Sequence, residues 1–150
     1  PEEQSVVIAA GSVYGNTPNA AEILAGLLAE RGVKNIAFYD VSNTHPSVLV
    51  SEAFRCSHLV FASSTYNNGI FTPMETVLLD LAAHNLQNRT VALIENGSWA
   101  PVSGKLMREV LGKMKNIQIL DSSLTLRSSM KEDQLASLES LADTIVKSFE

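Results

Sequence analysis

The sequence predicts an α/β fold: a three-layered, doubly wound sheet of five parallel strands. Two observations carry this. Apolar runs alternate with helical patterns five times along the chain, and the runs are continuous, as in Val6-Val7-Ile8 and Val91-Ala92-Leu93-Ile94. Continuous runs suit strands covered on both faces, and a helix between successive strands is a right-handed crossover that makes them parallel. With 150 residues, 45% of them hydrophobic, there is material for one sizeable core and too little for two, so a single domain over 1–150 is expected.

The first strand is Ser5–Ala10, ended by Gly11. Thr17-Pro18 then starts a helix, with Thr as N-cap and Pro at the first helical position, where its missing N–H costs nothing. Ala20, Leu24, Leu27 and Leu28 fall on one face of that helix, and Gly32 closes it. The alternation continues through a strand at Asn35–Val41, a short helix at Ser47–Arg55, a strand at His58–Ser64 and a helix at Pro73–Asn85. Thr72-Pro73-Met74-Glu75 is a capping box with proline at its first helical position. Arg89–Glu95 is the fourth strand, Gly104 to Gly112 or Lys113 the fourth helix, Ile117–Leu126 the fifth strand and Glu132–Phe149 the last helix. Neither repeats nor linkers interrupt the series.

In doubly wound sheets ligands bind beyond the strand C-termini where the strand order reverses, so the loops after strands one, three and four are the ones to read. The first runs Ser12-Val13-Tyr14-Gly15-Asn16-Thr17. Hydroxyls, amides and glycine-freed backbone N–H groups at the positive end of a helix suit a phosphate held by neutral donors, since this loop has no Lys or Arg. A well-capped turn is the plainer alternative. The second loop contains Thr65-Tyr66-Asn67-Asn68-Gly69, an aromatic followed by residues that tolerate left-handed backbone. Tyr66 could stack on a flat ligand, or the stretch is an Asn-Gly turn with a surface tyrosine. The third, Asn96-Gly97-Ser98-Trp99-Ala100-Pro101, holds the only tryptophan. Two aromatic loops beside a phosphate cradle describe a planar heterocycle with a phosphate tail.

Composition narrows the partners. A net charge of −5 disfavours nucleic acid and anionic membrane surfaces, which are bound through Lys and Arg clusters. No apolar run is long enough to span a bilayer, and no basic and apolar leader opens the chain, so a soluble cytoplasmic protein is expected. The lone Cys56 excludes an internal disulfide and reads as a packed thiol. His45, His58 and His84 are scattered without metal-ligand spacing, so no metal is expected. The chain starts at Pro1 without Met, and the expectation is a domain excised from something longer.

Ser12-Val13-Tyr14-Gly15-Asn16-Thr17 resembles the phosphate loop of the flavodoxin family, with Tyr14 where a Thr is usual. More narrowly, Thr65–Phe71 and Asn96–Pro101 resemble the C-terminal flavodoxin-like domain of A-type flavoproteins, the flavodiiron proteins, with Ser64 where that pattern often has Pro. The resemblance runs from about Ser5 to Phe149 in the short-chain form, and it brings the strand order 2-1-3-4-5, for which flavodoxin is itself a standard example. It implies FMN as cofactor, with phosphate contacts from Ser12, Val13, Tyr14, Gly15, Asn16 and Thr17. It implies ring contacts from Thr65, Tyr66, Asn67, Asn68 and Gly69 and from Asn96, Gly97, Ser98 and Trp99. The implied role is electron transfer through the flavin, with the Asn68-Gly69 peptide turning toward flavin N5 according to redox state. The implied partner is a redox protein or a diiron domain, in cis or across a homodimer, that reduces oxygen or nitric oxide, with rubredoxin as a candidate donor.

Two relatives in topology fit less well. A response-regulator receiver needs an acidic cluster after strand one and an aspartate ending strand three, where this chain has Gly11-Ser12 and Ser63-Ser64. A dinucleotide-binding domain needs a three-glycine turn that is absent here. A cofactor-free module for interaction or dimerisation is the remaining alternative.

Overall fold

A computed structural model describes residues 3–11, 16–66, 69–70, 72–96, 103–120, 124–126 and 132–149. Strand β1 (Glu3–Gly11) sits inside the sheet, and its period-two alternation feeds two separate cores. Val6, Ile8 and Ala10 enter one and Val7 and Ala9 the other, so every residue from Ser5 to Gly11 is buried. Strands β3 (Cys56–Tyr66) and β5 (Arg89–Asn96) divide the same way. Leu59, Phe61, Val91 and Leu93 join Val7, while Val60, Ala62, Ala92 and Ile94 join Val6. Strand β2 (Ile36–Asp40) is half-buried along its length because it lies at the sheet edge.

Helices α1 (Asn16–Glu30) and α5 (Glu132–Lys147) cover the Val6 face with Leu24, Leu28, Leu138, Leu141 and Ile145. The Val7 face is covered by α2 (Pro46–Arg55), α3 (Thr72–Ala83) and α4 (Ser103–Leu111) through Leu49, Met74, Leu78, Leu81, Met107 and Leu111. With β6 (Ile117–Ile119) at the far edge, the parallel order is β2-β1-β3-β5-β6, the predicted 2-1-3-4-5. From β1 the chain steps outward to β2 and then back across β1 to β3. Right-handed crossovers in opposite directions place α1 and α2 on opposite faces. The order therefore reverses between β1 and β3.

Two details depart from the expectation. The fifth strand is not continuous from Ile117 to Leu126: β6 pairs with Arg89–Val91, and a separate β7 (Leu124–Leu126) pairs with Ile94–Asn96. The Leu120 N–H still donates to the Val91 carbonyl at 2.8 Å, so the ladder runs one residue past β6. A two-residue strand, β4 (Gly69–Ile70), folds back antiparallel on the end of β3, a pairing too short for hydrophobic patterning to reveal.

Helix ends follow their local chemistry. Gly32, at φ 91°, closes α1: its N–H bonds the Ala29 carbonyl and the Val33 N–H reaches back to Leu28, both at 3.1 Å. Asn85, at φ 59°, does the same for α3, with Leu86 N–H on the Leu81 carbonyl. His45, which the sequence marks only as lacking metal-ligand spacing, is the N-cap of α2, its Nδ1 accepting from the Ser47 amide at 3.1 Å.

Buried polar groups gather at the N-terminal ends of β3 and β5. The Arg89 guanidinium, 7% exposed, donates to the Ala53 and Phe54 carbonyls at 3.0 Å each, a cation at the negative end of α2. Cys56 is fully buried, and burial pushes its thiol above the ordinary range, as suits a packing residue. His58 stacks on Phe149 with ring centroids 3.8 Å apart. The Ser148 hydroxyl donates to the Ile145 carbonyl and so accepts from His58 Nε2–H at 3.0 Å; the Ser57 hydroxyl, with the Ser5 carbonyl at 3.3 Å and His58 Nδ1 at 2.7 Å, donates to the nearer Nδ1. That network fits a neutral imidazole, and burial lowers its pKa while the Ser148 contact pulls the other way.

Three outcomes follow for stability. Gly26 lies mid-helix with nothing within 4 Å of an added methyl, so Gly26→Ala should stabilise by about 0.5–1 kcal/mol in urea unfolding. Gly32→Ala, six residues on, should destabilise by about 1 kcal/mol, because positive φ, not space, is what glycine supplies there. His58 is neutral in the fold and protonates more readily in the unfolded chain. The stability it contributes is complete above its unfolded pKa of about 6.5 and is lost as pH falls below it. Thermal unfolding from pH 7 to pH 5.5 should show a falling midpoint that His58→Gln flattens; parallel curves would mean His58 is not the group responsible.

Candidate functional site

Parallel pairing fixes where the loops emerge. Gly11 pairs with Ser63, Ser63 with Glu95 and Ser64 with Asn96, so β1 and β5 end within one residue of each other at the carboxyl edge of the sheet, on either side of β3, which runs on to Tyr66. Neighbouring strands lie about 4.8 Å apart, so β1 and β5 leave the sheet within about 10 Å of each other, on either side of β3. The reversal of strand order falls between β1 and β3, which makes this the crevice where an open α/β sheet takes a ligand.

The three loops read from the sequence all leave from this edge. Ser12, Val13, Tyr14 and Gly15 lie outside the described residues, between the end of β1 and the start of α1; Asn16 and Thr17 are the first two residues of α1. Thr65 and Tyr66 end β3, and pairing of Tyr66 with Gly69 leaves Asn67 and Asn68, outside the described residues, as the two-residue link to β4. Gly69 is thus a strand residue and not the centre of an Asn-Gly turn. Asn96 ends β5, and Gly97, Ser98 and Trp99 lie outside the described residues, before α4. The backbone therefore brings the bases of all three loops together, from Gly11 to Asn16, Tyr66 to Gly69, and Asn96 to Ser103.

One feature of this edge has no motif to announce it. Glu95 shares a face with Val91 and Leu93, toward α4, and its Oε2 accepts from the Gly104 backbone N–H at 2.7 Å. A Cβ on Gly104 would stand 2.7 Å from that carboxylate's Cδ and Oε2, so the glycine makes room for the glutamate. Glycine at 104 reads from sequence only as the start of a helix. Its spacing of nine residues from Glu95 matches no local capping pattern.

Other chemistry-bearing side chains lie at the opposite edge. Cys56, His58 and Arg89 begin β3 and β5, and at about 3.3 Å per residue His58 is roughly 26 Å from the carboxyl end of β3. His84 follows α3, its Nδ1–H donating to the Asp80 carbonyl at 2.7 Å. Among the described residues no three His, Cys, Asp or Glu cluster as metal ligands, and no helix is long and apolar enough to cross a membrane. A cavity of about 340 Å³ between Gly32–Asn35, Val146 and Phe149, and one of about 260 Å³ between Asn85–Gln87 and Lys113–Lys115, also open at the amino edge. Neither touches the three loops.

No protein-family model matches the chain, and no curated protein does. Solved structures do. The rubredoxin oxygen:oxidoreductase of the anaerobe Desulfovibrio gigas superposes with a TM-score of 0.91 at 21% identity, over 98% of this chain and 37% of that one. A flavodoxin from the domain Archaea matches at 0.81 and 20%, over 99% of this chain and 100% of its own. A variant of the flavo di-iron protein from Thermotoga maritima matches at 0.81 and 22%, over 100% of this chain and 37% of that one. At such identities the likeness establishes the fold, which is flavodoxin-like. The chain spans little more than a third of the length of the first of these proteins.

Proposed function

We propose that the chain binds FMN at the carboxyl edge of β1, β3 and β5 and serves as an electron-transfer domain. The observation that carries this reading is that β1 and β5 end within one residue of each other on either side of β3, at the reversal of strand order. It supports a common crevice for the hydroxyl-rich, tyrosine and tryptophan loops, whose first residues follow those strands. A flavin nucleotide fits that donor set: Ser12, Val13, Tyr14, Gly15, Asn16 and Thr17 offer hydroxyl, amide and backbone N–H donors to the phosphate at the start of α1. Thr65, Tyr66, Asn67, Asn68 and Gly69 on one side, and Asn96, Gly97, Ser98 and Trp99 on the other, offer aromatic faces and amides to the ring. Bound FMN would supply one-electron storage that no side chain offers, while the protein binds, orients and tunes it.

The finer reading is that this domain works beside a diiron oxygen- or nitric-oxide-reducing domain, in cis or across a homodimer, in the cytoplasm, with rubredoxin as a candidate electron donor. It is supported by the likeness to a protein named for rubredoxin and oxygen, and by the 37% of that chain which this one spans.

Titrating FMN with the purified protein should quench flavin fluorescence at one equivalent and give a yellow complex; absence of quenching would favour a cofactor-free interaction module. Because the phosphate loop has no Lys or Arg, affinity should change by less than about threefold as ionic strength rises from about 0.01 to about 1 M. A steep loss would point to a cationic clamp. Gly69→Ala should shift the one-electron potentials of bound FMN if the Asn68-Gly69 peptide faces N5. Two unmoved potentials would remove that role from the peptide.

A further inference from the structure

We propose that Glu95 is a positioning residue for the flavin site, fastening the end of β5 to the start of α4 and so setting where the Trp99 segment stands. This rests on the FMN reading above. A cap that serves only its helix comes from the adjoining residues. Here the acceptor comes from the strand, nine residues upstream, and the 2.7 Å bond to Gly104 N–H joins both ends of the 96–103 connection. Closing a connection at its base removes much of the freedom its middle would otherwise have. Glu95 also pairs in register with Ser63, which pairs with Gly11, so the fastening lies in the row from which the other two loops emerge. The interaction is matched from the other side, since any side chain at 104 would start 2.7 Å from the carboxylate and displace it.

The test uses Trp99, the only tryptophan, whose emission in FMN-free protein reports its surroundings whether or not the flavin binds. Glu95→Ala should change that emission with the circular dichroism of the fold intact, and weaken FMN binding at least about tenfold, the scale on which losing the bond to Gly104 alone would act. Glu95→Gln keeps an oxygen for the Gly104 N–H and should restore affinity to within about threefold, whereas Glu95→Asp, one methylene shorter, should not. Gly104→Ala should reproduce Glu95→Ala, yet add almost nothing in the Glu95→Ala background, where the carboxylate no longer competes for the space. Unchanged Trp99 emission and affinity in Glu95→Ala, or additive losses in the double variant, would overturn the proposal. Should Glu95→Ala not fold, the Gln and Asp variants decide it. If the unaltered protein binds no FMN, the emission arm alone still decides whether Glu95 positions the segment, so the two failures are distinguishable.

Discussion

The rest of the structure depends on the in-register ladder of β1, β3 and β5. Because both faces are covered, each strand must present apolar side chains up and down in turn, and the two sets enter different cores: Val6, Ile8, Val60 and Ile94 meet α1 and α5, while Val7, Leu59, Phe61 and Leu93 meet α2, α3 and α4. A slip of one residue in any strand would exchange its two sets. The register is therefore held by the cores themselves. Its consequence at the carboxyl edge is geometric: Gly11, Ser63 and Glu95 stand in one row, so β1 and β5 leave the sheet on either side of β3.

The two edges of this sheet do different work. At the amino edge two buried polar side chains are satisfied from within: Arg89 binds the last carbonyls of α2, and His58 is held between Ser57 and Ser148 under the ring of Phe149. These contacts tie α2 and α5 to the strands they cover and leave Cys56 packed with its thiol less acidic than usual. A perturbed titratable group is a common marker of a reactive centre. In this protein the perturbed His58, Cys56 and Arg89 are packing and fastening groups about a strand's length from the carboxyl edge.

How much of this was legible in the sequence varies with the range of the interaction responsible. The order of elements and their faces follow from hydrophobic period and local caps, and Gly32 was readable as a helix end because a single residue's backbone preference decides it. That the three loops leave from one edge at the reversal of strand order was legible from the alternation of elements and the rule for open sheets. What escaped is set by partners distant along the chain or by backbone pairing with no side-chain pattern. Asn85 performs at the end of α3 the same left-handed turn as a glycine, so the helix stops two residues before the predicted Asn85. β4 is a two-residue backbone pairing, and the bond between Glu95 and Gly104 joins positions whose local contexts announce nothing. The division of the fifth strand was legible and overlooked, since polar Asp121-Ser122-Ser123 stands between the apolar stretches that became β6 and β7.

The distribution of negative charge along the carboxyl edge bears on where a phosphate would go. Several helices begin there, and each offers backbone N–H groups and the positive end of a dipole. α4 already has its Gly104 N–H bonded to the Glu95 carboxylate, whose charge would repel a second anion. α3 carries Glu75 in its first turn, α5 opens with Glu132-Asp133, and the first turn of α2 is capped by His45 at the far side of β2. α1 has no acidic residue in its first turn, and its start follows the central strand at the reversal of order. A nearby carboxylate repels a dianion held by neutral donors, and the repulsion grows as the site is buried. By that comparison α1 is the helix on which the phosphate reading of Ser12 to Thr17 is electrostatically consistent, whereas α4 already has the Glu95 carboxylate at its start.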